Sequence, residues 1–134
     1  MRIISGTRKG KKLIYPNITT TRPMSDRLKE SLFNILDHRF HMDYSSAAVF
    51  DAFAGSGALG LEALSRGALF CLFVEKNAEA FQVLEQNATL FTPVKLLRCG
   101  VEKAHVQYEP LPFDLVFLAP PYHKGLVPPT LDRL

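Results

Sequence analysis

Between residues 50 and 60 the chain spells Phe50-Asp51-Ala52-Phe53-Ala54-Gly55-Ser56-Gly57-Ala58-Leu59-Gly60, an apolar run that breaks into a Gly-x-Gly-x-x-Gly turn and resumes as a helical pattern. Glycines at this spacing permit a tight turn and let a ligand approach the backbone at a helix N-terminus. The spacing alone is a weak signal. It gains weight from Glu75, 20 residues after Gly55 at the end of the next apolar run, where a carboxylate can accept both hydrogen bonds of a ribose diol. The competing reading, a turn that merely needs glycine and a surface acid, requires loop, strand context and acid to coincide by accident.

Around this turn the chain alternates. Residues 47–52, 69–74, 94–97 and 113–118 are apolar runs of strand length. Between them lie a helix over 61–66 closed by Gly67, a helix capped by Asn77 and carrying Phe81, Leu84, Ala88 and Phe91, and a short helical patch over 101–106. Repeated strand–helix–strand order implies right-handed crossovers and a doubly wound, mainly parallel α/β sheet. Upstream, Ser25 is placed to cap a helix with Leu28, Leu32, Ile35 and Leu36 on one face and Asp26, Arg27, Lys29 and Glu30 in its first turns. Phe33, Phe40, Phe81 and Phe91 are expected in the core. At 134 residues this is one domain: a basic arm over 1–22 and an α/β core over 23–134. Four strands ending at a Pro128-Pro129 pair leave a sheet edge uncovered, so the core is expected to be C-terminally short.

Charge divides the chain unevenly. Residues 1–30 hold eight basic residues against two acidic ones, a surplus of six, while the whole chain carries +3, so the rest sums to −3. Gly6 and Gly10 bracket Thr7-Arg8-Lys9 between the apolar runs Ile3-Ile4 and Leu13-Ile14-Tyr15, a hairpin pattern presenting cations at one end. Arg2, Arg8, Lys9, Lys11, Lys12, Arg22 and Arg27 are the candidate contacts to RNA phosphates; a solvated tail is the alternative. No run of 18 apolar residues and no apolar segment behind the first charges suggest a span or a secretory leader. Cys71 and Cys99, both in apolar runs, fit a reduced cytoplasmic pair. The four histidines show no triad or metal spacing, so no metal is expected; His123, next to Tyr122, is a candidate polar group facing substrate.

Asp51 selects among nucleoside ligands. A carboxylate beside the glycine turn repels a pyrophosphate but welcomes the sulfonium and α-ammonium of S-adenosylmethionine. The spelling therefore favours a methyl donor over NAD, and with it disfavours a nicotinamide oxidoreductase. Asp51 can also cap the loop backbone.

The run Thr21-Arg22-Pro23-Met24-Ser25-Asp26-Arg27-Leu28-Lys29-Glu30-Ser31-Leu32-Phe33-Asn34-Ile35-Leu36 resembles the N-terminal signature of the RsmD-like methyltransferases. The stretch from Phe50 to Ala68 is similar to their donor-binding motif, and Met1-Arg2-Ile3-Ile4-Ser5-Gly6 and Phe73-Val74-Glu75-Lys76-Asn77 also fit. The resemblance implies a Rossmann-like class I S-adenosylmethionine-dependent fold and methylation of the exocyclic N2 of a guanine in small-subunit (16S) ribosomal RNA. It implies a monomeric cytoplasmic enzyme acting on ribosomal RNA or the small-subunit particle, with residues 22–27 beside donor and substrate. Donor contacts are then expected from Asp51, Phe53, Ala54, Gly55, Ser56, Gly57, Glu75, Lys76, Gly100 and Val101. The resemblance also implies a catalytic turn at Ala119-Pro120-Pro121-Tyr122, with Tyr122 expected to stack on the base.

Three departures qualify the likeness. The family carries Asp or Asn where this chain has Ala119, so the side-chain acceptor for the target amine is missing. Glu102 stands near the position of the family's adenine-contacting Asp or Asn. The family's further C-terminal strands are lacking. The alternative to an enzyme is therefore an RNA- or donor-binding remnant without turnover.

Overall fold

The computed structural model describes residues 1–15, 24–104 and 112–119. Four short apolar runs form the sheet: β1 (Ala48–Asp51), β2 (Phe70–Val74), β3 (Val94–Leu97) and β4 (Leu115–Phe117). Their order is β3-β2-β1-β4 and all three pairings are parallel, with Val49 opposite both Cys71 and Leu115. The central strands β1 and β2 are buried on both faces, which is why they are continuous hydrophobic runs. Alternation still sorts their side chains. Val49, Cys71 and Phe73 join one core, and Phe50, Leu72 and Val74 the other.

The larger core receives α2 (Ala58–Ser65) and α3 (Ala78–Ala88) through Leu61, Ala63, Leu84 and Ala88, and α1 (Asp26–His38) through Phe33. Among the described residues the smaller core is closed by Val101 and Ala104 at the 3₁₀ turn Val101–Lys103, with Phe113 stacked on Phe50 at 5.2 Å. Helix ends follow local chemistry. Ser25 and Asn77 accept the backbone N–H groups of Leu28 and Ala80, and Gly67 takes φ +112° just after α2, as its position suggested.

The apolar face expected of α1 is met only in part, by Leu32 and Leu36 packed against the larger core. The buried residues of the helix are Lys29 and Phe33, while Leu28 and Ile35 are about half exposed, at 57% and 47%. Phe40 lies outside the core, exposed beyond the end of the helix. The helix is turned by what lies under it. Lys29 Nζ donates to Glu62 Oε1 at 3.1 Å and to the Arg2 carbonyl at 2.8 Å, and the Arg66 guanidinium sits 4.6 Å above the Phe33 ring. A buried charge has to meet its partner, and that requirement outranks the apolar stripe.

The arm is part of the body. A single antiparallel bridge, Arg2 to Lys12, closes its hairpin, and Ile3 and Leu13 enter the larger core. Glu62 accepts the N–H groups of Ile4 and Ser5, and the Ser65 carbonyl accepts that of Thr7. Gly6, at φ +91°, passes so close to α2 that a Cβ would lie 1.9 Å from the Ser65 carbonyl oxygen.

Candidate functional site

The glycine turn emerges from the C-terminal end of β1. Gly55 (φ +55°) and Gly57 (φ +88°) occupy the left-handed region, and Gly57 N–H closes the turn on the Ala54 carbonyl at 2.8 Å. Gly57 is also the N-cap residue of α2 and supplies no side-chain cap, so the cap position offers backbone alone while Asp51 meets the Gly60 N–H in the first turn. Gly60 has a different duty. A Cβ at this position would lie 2.3 Å from Phe73 and 2.8 Å from Cys71 Sγ, so glycine is what lets α2 settle on β2.

Each residue of the turn is gripped from the β2–α3 side. Glu75, just past β2, accepts the Gly55 N–H through Oε1 and the Asn77 N–H through Oε2, both at 2.8 Å. The Ser56 carbonyl accepts from Asn87 Nδ2 at 2.9 Å, and Gly57 faces Leu84, whose methyl would be 2.6 Å from a Cβ. A carboxylate oxygen can accept a second bond. Glu75, half-buried at a strand end, thus retains acceptor capacity for a diol while it holds the turn.

Asp51 is only 2% exposed, and its Oδ2 accepts the Gly60 N–H at 3.1 Å. Of the two roles anticipated for it, this placement serves the loop backbone. Burial pushes its carboxyl up to about 7; the nearby Glu75 charge adds to the rise and the Gly60 bond opposes it.

The remaining donor-site candidates fall along the strand ends. Ala54 is buried with its N–H on the Val74 carbonyl, Phe53 is half-buried against the smaller core that Val101 joins, and Lys76 is exposed. The Glu102 carboxylate folds back over Gly100, where a Cβ would meet its oxygens at 2.2–2.4 Å. Ala119 is exposed, two residues past β4. Pro120, Pro121, Tyr122, His105, His123 and Arg22 lie outside the described residues. Two concavities flank the arm, one lined by Thr7, Arg8, Leu64, Leu90, Phe91 and Thr92, the other by residues including Arg2, Lys9, Asp26 and Glu30. Neither includes the glycine turn. In open α/β sheets ligand chemistry follows the carboxyl ends of the strands, so the turn is the candidate site.

Arg8, Lys9, Lys12 and Arg27 are exposed and Lys11 is partly so; Arg2 is exposed, with Nε 4.0 Å from Asp26. Lys29 counted in the basic surplus of the N-terminal segment, but its side chain is fully buried. Sequence reasoning also passed over Asn87 and Glu62. Glu62 had a signal, a lone acid in an apolar helix four residues before Arg66. Asn87 had none.

A parallel sheet ordered β3-β2-β1-β4, with a glycine turn after β1 and an acid after β2, is the Rossmann-like fold of class I methyltransferases. The chain belongs to the family described as Conserved hypothetical protein 95, which matches residues 1–134, the RsmD-like family. It is 35% identical to ribosomal RNA small subunit methyltransferase D of Buchnera aphidicola subsp. Acyrthosiphon pisum, over 98% of this chain and 68% of that protein. It is 37% identical to the protein of the same name from Haemophilus influenzae, over 100% of this chain and 70% of that protein. The solved structure of the Escherichia coli methyltransferase yhhF superimposes with a TM-score of 0.81 at 34% identity, covering 100% of this chain and 71% of that one. The chain thus spans about two thirds of the length of these curated relatives. No helix among the described residues is long and apolar enough to cross a membrane.

Proposed function

We propose that the chain binds S-adenosylmethionine at the Gly55–Gly57 turn and transfers its methyl group to the exocyclic N2 of a guanine in small-subunit ribosomal RNA. The observation that carries this reading is the turn itself: two left-handed glycines at a helix start whose N-cap residue has no side chain, with the Glu75 carboxylate seated on Gly55. Membership of a family whose relatives are named for ribosomal RNA methylation supports the substrate.

The residues present fit the donor. Glu75 would hold the ribose hydroxyls through its spare acceptor capacity, and the Gly55–Gly57 backbone would lie against the amino-acid end. Ser56 and Ala54 shape that wall, with Phe53, Lys76, Gly100 and Val101 flanking the adenosine side. Asp51 acts through the loop it holds. The bound donor supplies an electrophilic methyl on a sulfonium. What the protein contributes is position: no covalent intermediate is needed, only proximity and a correctly aimed amine lone pair. The Ala119-Pro120-Pro121-Tyr122 turn is assigned that task, a backbone carbonyl accepting from the amine and Tyr122 stacking on the base. Exposed Arg8, Lys9, Lys12 and Arg27, with Lys11, Arg2 and Arg22, hold RNA phosphates.

Ala119 favours a second reading, a donor- and RNA-binding protein with little turnover, because one acceptor for the amine is gone. Calorimetric titration with S-adenosylmethionine, against NAD as control, is the first test; binding of the methyl donor alone is expected. Methyl transfer to small-subunit RNA is then compared between the native chain and Ala119→Asp. Restoring one positioned polar group should raise the rate about 10²–10³-fold. Donor binding without transfer by either form establishes the second reading, and no donor binding by a folded chain overturns both.

A further inference from the structure

Asn87 lies in the last turn of α3, on its buried side, and its amide joins two parts of the chain far apart in sequence. Oδ1 accepts the Ile14 N–H at 2.8 Å, and Nδ2 donates to the Ile14 carbonyl and to the Ser56 carbonyl, both at 2.9 Å. One side chain, 2% exposed, thus clamps both backbone groups of Ile14 in the arm and one of Ser56 in the glycine turn. Its helix is tied to the same turn twice more. Leu84 backs Gly57, and Glu75 joins Gly55 N–H to Asn77, the residue that caps α3. Ile14 stands two residues from Lys12, which is exposed in the arm's only bridge among the described residues.

We propose that Asn87 is a positioning residue through which occupancy of the glycine turn sets the register of the cationic arm. The inference rests on the donor reading of that turn. A ligand drawn onto Glu75 and the Gly55–Gly57 backbone restrains the Ser56 carbonyl. The restrained carbonyl fixes the Asn87 amide, and the fixed amide holds Ile14 and the segment that presents Lys11 and Lys12. Two sites that bias one shared element are coupled, and the coupling is reciprocal, so RNA seated on the arm favours the donor-competent turn.

Amide hydrogen exchange at Ile14 tests this on the full chain, with and without saturating S-adenosylmethionine, occupancy being verified by calorimetry. Donor is expected to slow Ile14 exchange about tenfold. In Asn87→Asp the acceptor for Ile14 N–H is kept and both donated bonds are lost. This variant, loaded with donor to the same occupancy, should show less than about a twofold change. Equal Ile14 exchange in free and donor-bound native chain would make Asn87 a structural clip and overturn the proposal, whether or not the variant folds. A full donor response in Asn87→Asp overturns it as well. Absence of any donor binding removes the reading of the turn itself and this inference with it.

Discussion

The Asp51 carboxyl sits under the glycine turn with its acceptor committed to Gly60, and burial holds it protonated to about pH 7. In the unfolded chain the same group ionises near 3.8. The folded state therefore binds the extra proton between these values, and this group's contribution to stability is full at low pH and declines as pH rises from about 4 to about 7. Asp51→Asn keeps a carbonyl acceptor for the Gly60 N–H and cannot ionise, so its urea midpoint should fall less steeply across that window. Parallel slopes for the two proteins would show that Asp51 does not titrate there. At this scale Gly55 and Gly57 were legible, since each answers a local backbone demand that the Gly-x-Gly spacing announces, whereas Gly60 answers the packing of α2 on β2. Asn87 was not legible, because an asparagine that bridges Ile14 and Ser56 looks like any other helical asparagine until the chain is folded.

Helix α1 shows how an element can be found correctly and its buried face only in part, Leu32, Phe33 and Leu36 meeting the core as expected. Ser25 caps it and its span follows the periodicity, yet it buries Lys29 and Phe33 while Leu28 and Ile35 face outward. Hydrophobic spacing describes one helix, whereas the rotation of α1 is set by Glu62 on α2. That carboxylate collects Lys29, Arg66 and the N–H groups of Ile4 and Ser5. Arg66 continues to Asp37 at 2.8 Å, which accepts from the Tyr44 hydroxyl. Burial lowers the Lys29 pKa and the Glu62 contact counters it, so the pair depends on both partners. Lys29→Met should cost about 3–5 kcal/mol in chemical denaturation, because Glu62 is left buried with one cation fewer. Lys29→Met combined with Glu62→Gln should cost less than the two single changes added, with a coupling of about 0.5–3 kcal/mol. Strict additivity would mean the pair contributes nothing of its own.

For the molecule as a whole, the asymmetric charge becomes a cationic hairpin docked on α2, its tip at Ser65 where that helix ends. Arg8, Lys9 and Lys12 stay exposed on the arm, while its backbone is anchored through Glu62, Ser65 and Asn87. If these cations meet RNA phosphates, replacing Lys9, Lys11 and Lys12 by Gln should lower the magnitude of the log–log salt slope of RNA binding by about two to three. The fold should be untouched, since none of the three is buried. An unchanged slope would place the RNA elsewhere on the surface.

The sequence by itself determined the alternation of strands and helices, the glycine turn with its acid 20 residues on, the hairpin and the family. All of these are encoded by near neighbours, through periodicity, capping and the steric freedom of glycine. Tertiary structure alone decided which face α1 buries, that Lys29 is an internal cation, that Phe40 is outside, and that Asn87 joins arm to turn. Those outcomes depend on contacts between residues as far apart as Ile14 and Asn87, where a polar group is buried only if a partner arrives from another element to satisfy it.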